Sequence, residues 1–166
     1  MIKFTTNLGS FTIKLDHEKA PLTAANFLQY AQDNFFAGTL FHRIIPGFMA
    51  QGGGILPGMG DKKDGQRAPI KNEANNGLKN NIGTVAMART GDPHSATGQF
   101  FVNVANNDFL NFRAENAQGW GYCVFGEVSE GMDIIEKMMM QKTASNQGHQ
   151  DVPVEDILIE KVEVVS

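Results

Sequence analysis

Phe41-His42-Arg43-Ile44-Ile45-Pro46-Gly47-Phe48-Met49-Ala50-Gln51-Gly52-Gly53 is the most informative stretch of this 166-residue sequence. Its first part belongs to an apolar run, Leu40–Ile45, that reads as a strand, yet His42 and Arg43 stand in the middle of it. Charged side chains avoid cores, so Arg43 calls either for a partner in a structural ion pair or for a ligand. The residues alone leave both open. The glycines that close the stretch, Gly52-Gly53-Gly54, are not a phosphate loop, because no Lys-Ser/Thr pair opens a helix after them. They read as a bend at a sheet corner.

To either side the chain is built of short alternating runs. Ile2, Phe4 and Thr6 alternate, Asn7-Leu8-Gly9 supplies a turn, and Phe11, Ile13 and Leu15 alternate again, which predicts an opening β-hairpin. Pro21 suits the first turn of a helix, since its φ is fixed and its N–H is absent. Ala24, Phe27, Leu28 and Ala31 follow at helical spacing, and the Gly38 region is predicted to end that segment. A second helix is predicted around Met132–Met140, with Ile134, Ile135, Met138 and Met139 as its apolar stripe. Met138-Met139-Met140 reads as core packing plus one exposed methionine.

Further strands are predicted at Leu40–Ile45, Val85–Arg89, Gln99–Val104, Tyr122–Val128 and Ile157–Val165. In the last, Leu158, Val162 and Val164 share one phase while Ile157 and Ile159 share the other, which predicts a bulge. Many short strands with only two helices point to a β-barrel or sandwich, because closure removes exposed edges. The polar, Gly-rich stretches Gly52–Asn76 and Asn111–Gly121 are long enough to be functional loops.

Composition bounds the rest. The length suits a single domain over residues 1–166, and 42% hydrophobic residues is ordinary for a globular chain. A net charge of −4 without any Lys/Arg-rich stretch argues against nucleic acid as a partner, since phosphate binding needs a basic patch. Cys123 is the only cysteine, so neither an internal disulfide nor a Cys-built zinc site is available. The first residues lack the apolar segment of a secretory signal, and nowhere do about 18 apolar residues run together to cross a membrane. The expected compartment is the cytoplasm.

Common catalytic devices do not fit. Asp92, His94 and Ser95 lie nearly side by side, but one turn rarely places the base between nucleophile and acid, and no G-x-S-x-G elbow is present. They read as a solvated loop. His17, His42, His94 and His149 have no metal-ligand spacing. No cofactor is therefore expected.

Phe41–Gly53 resembles the signature of the cyclophilin family, F-H-R-x-I-x-G-F-M-x-Q-G-G. Met87-Ala88-Arg89, Gln99-Phe100-Phe101, Val124-Phe125-Gly126 and Gly131-Met132-Asp133 continue the likeness in family order, with Pro21, Asn26-Phe27 and the final strand also in place. The resemblance implies a mainly β fold, a closed antiparallel eight-stranded barrel capped by two α-helices. It implies a peptidyl-prolyl cis–trans isomerase that assists protein folding, acting on proline-containing peptides and on unfolded or folding proteins, as a monomer.

By the same resemblance Arg43 is the catalytic residue, a planar cationic donor aimed at the prolyl nitrogen. Phe48, Met49, Phe101 and Leu110 would line the proline pocket, with Phe109 at its rim. Gln51 would orient Arg43 or hold a carbonyl, Gln99 would anchor the peptide, and the backbone of Ala88-Arg89-Thr90 would pair with it as a strand. Phe109 stands where many members have Trp, Tyr122 where many have His, and Arg89 where many have Asn. The missing indole donor implies weakened cyclosporin binding. Two rival readings are a non-catalytic module that grips proline-containing segments and a small-ligand barrel. The first has no need of a donor at the prolyl nitrogen, and the second conflicts with a barrel of this size being filled by its own side chains.

Overall fold

The opening hairpin forms as the alternation predicts. In a computed structural model that describes residues 1–165, β1 (Ile2–Thr6) pairs antiparallel with β2 (Gly9–Leu15), placing Ile2 opposite Ile13 and Phe4 opposite Phe11. The two Phe rings stack with centroids 5.2 Å apart. Between the strands, the Thr6 hydroxyl accepts from the Leu8 N–H and donates to the Gly9 carbonyl, so the turn satisfies its own polar groups.

The remaining strands of the main sheet are β3 (Arg43–Ile45), β4 (Met49–Gly52), β5 (Thr84–Met87), β6 (Phe100–Asn103), β7 (Val124–Glu130) and, last in the chain, β10 (Ile159–Val164). They order themselves β10-β1-β2-β7-β5-β6-β4-β3, antiparallel throughout. The predicted bulge is present: Thr5 faces Lys161 while Thr6 faces Ile159, so Glu160 is the extra residue and the phase of the strand flips there.

The barrel is less closed than the resemblance implies. Edge strands β10 and β3 share no ladder. Closure falls instead to the irregular segments that precede them: Phe41 N–H donates to Ile157 O at 2.9 Å, Ile159 N–H to Thr39 O at 2.9 Å, and Gly38 N–H to Ile159 O at 2.8 Å. The sheet is a curled half-barrel with a short hydrogen-bonded seam. The predicted strand Leu40–Ile45 is accordingly regular only over its second half.

Helix α1 (Pro21–Gln32) starts with Pro at the predicted position and buries Ala24, Phe27, Tyr30 and Ala31. It ends at Gln32, well before Gly38. No neighbouring side chain caps its first turn. Glu73 does so from a distant loop, accepting from the N–H groups of Leu22 and Thr23 and from the Thr23 hydroxyl. Helix α2 (Met132–Met139) buries Ile135 and Met138, half-buries Met139 and leaves Met140 in solvent, as predicted.

One hairpin was not legible in the sequence. β8 (Thr143–Asn146) and β9 (His149–Pro153) pair around Gln147-Gly148, both at positive φ. That turn matches the twist of its strands, but the strands are mostly polar and show no apolar alternation, with Val152 and Pro153 buried at the end of β9.

Inside the half-barrel the core is aromatic. Phe100 lies at its centre, with ring centroids 5.1–5.8 Å from Phe4, Phe27, Phe36 and Phe41. Its side chain is fully buried. Phe100→Ala should therefore cost about 3–5 kcal/mol of stability through lost transfer energy and a cavity that rigid ring neighbours cannot fill. Urea unfolding should place the loss in the midpoint with an unchanged slope. A loss under about 1 kcal/mol would mean that the ring cluster is loosely packed.

Candidate active site

Strand residues alternate between two faces, and in β4, β5 and β6 both faces are apolar. Ile44, Ala50, Val85, Phe100 and Val102 point into the half-barrel core. Their neighbours Met49, Ala86 and Phe101 join Val124 and Leu110 in a second cluster, with Phe48, Ala88 and Tyr122 against it. This second cluster forms on the outer face, where a single-core barrel would be polar. The Gly run supports the corner reading: Gly53 has φ +95°, and a Cβ on Gly52 would stand 2.7 Å from the Leu40 carbonyl oxygen.

The outer cluster opens into a cavity of about 130 Å³ lined by Arg43, Phe48, Met49, Gln51, Ala88, Arg89, Phe101, Leu110 and Tyr122. Sequence and resemblance named all nine of these residues. Cross-strand register explains the grouping, since Arg43 faces Gln51 and Gln51 faces Phe101 across three adjacent strands. Phe101 is 4% exposed and meets the Tyr122 ring edge-on at 5.7 Å. Phe109 does not line the cavity. It is 66% exposed and leans on Phe48, with centroids 5.5 Å apart, at the rim.

Arg43 is exposed at the mouth of this cavity and forms no ion pair among the described residues, which speaks against the structural ion-pair reading. Its Nη1 donates a long hydrogen bond, 3.5 Å, to Gln51 Oε1, and Gln51 Nε2 donates to Gln99 Oε1 at 3.1 Å. The guanidinium is thus steered by neutral amides and keeps its charge uncompensated. Gln99 and Thr90 lie farther along, in an adjoining cavity of about 360 Å³ that shares Gln51, Ala88 and Arg89 with the first. Arg89 holds the wall between them. Its guanidinium lies 4.5 Å from the Tyr122 ring centroid, and it donates to the carbonyls of Gly121 and Thr90.

Other candidates do not assemble. Ser95 donates to the Asp92 carbonyl and His94 Nδ1 accepts from the Asn72 N–H, so no catalytic triad forms. Trp120 is buried against His94 and Phe112, away from the rim position held by Phe109. Among the described residues, no three His, Cys, Asp or Glu side chains gather as metal ligands. No helix there is long and apolar enough to cross a membrane.

The model of the family described as cyclophilin type peptidyl-prolyl cis-trans isomerase matches residues 1–164. This chain belongs to the cyclophilin family. It is 57% identical over 164 residues to peptidyl-prolyl cis-trans isomerase B of Escherichia coli K12, covering 99% of each chain. It is 49% identical to the isomerase cyp18 of Streptomyces antibioticus, covering 99% and 98%. Among solved structures, a cyclophilin from Cryptosporidium parvum, determined in the presence of the dipeptide Ala-Pro, superposes with a TM-score of 0.78 at 23% identity. It covers 99% of this chain and 98% of that one.

Next to Arg43, the cyclophilin signature places a histidine in the opposite environment. His42 is buried, and its Nδ1 has no hydrogen-bond partner among the described residues. Burial, reinforced by His149 and Arg43 and opposed by Asp61, lowers its pKa from 6.5 to about 4. Between those values the unfolded chain binds the extra proton, so stability is lost as pH falls through 6.5 and the loss is complete below about 4. The contribution is on the order of 3 kcal/mol. His42→Gln lacks it. Urea unfolding from pH 7 to pH 4 should show the wild type losing more stability than the variant by roughly that amount, whereas parallel curves would place His42 in contact with solvent.

Proposed function

We propose that this chain accelerates rotation about X–Pro peptide bonds, with Arg43 as the catalytic residue. The observation that carries this reading is a cationic donor, without an ion-pair partner among the described residues, at the mouth of an apolar cavity small enough for a prolyl ring. Amide resonance sets a barrier of about 18–20 kcal/mol. At the twisted midpoint the prolyl nitrogen regains its lone pair and accepts a hydrogen bond that the planar ground state cannot. A donor aimed there binds the transition state selectively.

The chemistry needs no nucleophile, general base, metal or cofactor. One donor is not enough, however. A thousandfold acceleration requires about 4 kcal/mol, and a hydrogen bond from a charged group nets about 1.5–3 kcal/mol. The remainder falls to positioning. In this reading Phe48, Met49, Phe101 and Leu110 hold the ring, with Tyr122 and Phe109 at the edge. Gln51 aims Arg43, Gln99 anchors the peptide, and the Ala88-Arg89-Thr90 backbone takes it as an added strand. The Ala-Pro dipeptide present with the Cryptosporidium relative supports proline-containing peptides as the substrate class. Unfolded and folding proteins would present such peptides to a monomer in the cytoplasm.

Arg43→Ala should lower kcat/KM by roughly a hundredfold, about 2.7 kcal/mol, with the fold retained. Arg43→Lys should recover little, because a point charge does not reproduce the planar donor. Exchange of a short Ala-Pro-Phe-type peptide, with circular dichroism as the fold control, tests both. A folded Ala variant within about threefold of wild type would remove Arg43 as the catalytic donor.

Phe109 sits at the exposed rim without a donor, which favours weak cyclosporin binding. Phe109→Trp restores an indole N–H, and a neutral hydrogen bond nets about 0.5–1.5 kcal/mol. Cyclosporin should therefore bind roughly three- to tenfold tighter, with short-peptide turnover changed by less than about threefold. Calorimetric titration giving equal affinities would place Phe109 away from the drug.

A further inference from the structure

Behind the walls of the 130 Å³ cavity runs a line of buried amides that the sequence reading did not single out. Asn80 and Asn103 are fully buried and Asn107 is 4% exposed. Asn107 Nδ2 donates to Asn103 Oδ1 at 2.8 Å, and Asn103 Nδ2 donates to Asn80 Oδ1 at 3.0 Å. Each side-chain amide thus hands its donor to the next in one direction. Both ends of the line reach backbone carbonyls of cavity residues, and the Asn80 end also donates to the Asn111 side-chain oxygen, from Nδ2 at 3.2 Å and from its N–H at 2.7 Å. Asn107 Nδ2 also holds Phe48 O at 2.9 Å. Asn80 Nδ2 reaches Leu110 O at 3.3 Å and Tyr122 O at 3.2 Å.

These three anchored residues lie outside the regular strands, Phe48 in the β3–β4 turn, Leu110 at the end of a short helical turn and Tyr122 ahead of β7. Backbone hydrogen bonds reach two of their carbonyls as well, from Val104 N–H to Phe48 O at 3.1 Å and from Tyr122 N–H to Leu110 O at 2.8 Å. Buried amides in a low-dielectric interior polarise one another and are costly to leave unpaired, so a fully connected line fixes the separation of the groups at its ends. The backbone of the short helical turn Asp108–Leu110 is tied to the same line, since the Asn107 N–H donates to Asn80 O and the Leu110 N–H to Asn107 O.

We propose that Asn80, Asn103 and Asn107 form a positioning relay that sets the width of the proline pocket by holding Phe48, Leu110 and Tyr122 in register. The proposal rests on the reading of this cavity as the site of the prolyl ring. None of the three side chains lines the cavity itself, so the relay acts through the walls. Its effect falls on how well the ring is gripped, while Arg43 is steered separately through Gln51 and Gln99.

Asn80→Ser keeps a polar group but loses the reach to Leu110 O and Tyr122 O, and Asn107→Ser removes one of the two donors to Phe48 O, leaving the Val104 N–H. Thr84→Val is the control: the Thr84 hydroxyl accepts from Asn103 Nδ2 at 3.0 Å but holds no carbonyl of a cavity residue. All are assayed on full-length protein at low temperature, with urea unfolding used to confirm that each variant is folded. Asn80→Ser and Asn107→Ser should raise KM for an Ala-Pro-Phe-type peptide about tenfold with kcat within about threefold. The double variant should do little more than the worse single one. Thr84→Val should lose stability with unchanged kinetics. Either relay variant turning over peptide with wild-type KM while folded would overturn the relay, as would a KM rise of the same size in Thr84→Val. If Asn80→Ser does not fold, Asn107→Ser decides alone. Arg43→Ala is run alongside: a kcat collapse there with an unaltered KM in the relay variants leaves the isomerase reading standing and removes only the relay.

Discussion

Phe100 and Phe101 are neighbours on one strand, and the period of two that separates them organises the molecule. Phe100 fills the centre of the aromatic core, while Phe101 lies on the outer face as part of the candidate pocket. The same division holds for Ala50 with Met49 and for Val85 with Ala86. A slip of one residue in the β4–β6–β5 register would exchange the two faces. Core and site are thus fixed by the same backbone hydrogen bonds, and neither can be displaced without the other.

Incomplete closure of the sheet follows from that arrangement. β3 and β4 stand at one edge, where Arg43 and Gln51 face each other across the ladder. Because the seam to β10 is made by irregular segments and not by a paired strand, β3 is short, and Arg43 sits at its exposed beginning. An arginine in a central strand of a closed barrel would be flanked on both sides and would need a counter-ion. At the edge it is solvated, held only by a long contact to a neutral amide, and keeps its charge for a ligand. Its neighbour His42 is buried and kept neutral.

Polar groups inside the fold serve a different purpose from those at the site. Glu73 caps α1 from a distant loop, and the asparagine line runs from the end of β6 to backbone carbonyls outside the regular strands. Both satisfy backbone groups that secondary structure leaves over. Loops such as Asn111–Gly121 therefore hold a defined wall: Gly121 at φ +68° packs where a Cβ would stand 2.5 Å from the Leu110 carbonyl oxygen.

Local pattern and chemistry determined much of this. Alternation fixed the first hairpin, Pro21 and the apolar stripe fixed α1, and the change of phase after Ile159 fixed the bulge. Within Phe41–Gly53, His42 and Arg43 stood out because charged or polar side chains break the pattern of an apolar strand, whereas Phe48, Met49 and Gln51 were marked by the resemblance to the family signature. Other features are not local. The β8–β9 hairpin lacks an apolar face of its own, so its strands carry no alternation to read. A run such as Gln99-Phe100-Phe101 does not say which ring enters the core, since both are equally apolar and only pairing with β4 and β5 assigns the faces. Asn80, Asn103 and Asn107 are spread over 28 positions of a sequence rich in asparagine. Their meaning arises when folding strips them of water and leaves one another, and the walls of a cavity, as their hydrogen-bond partners.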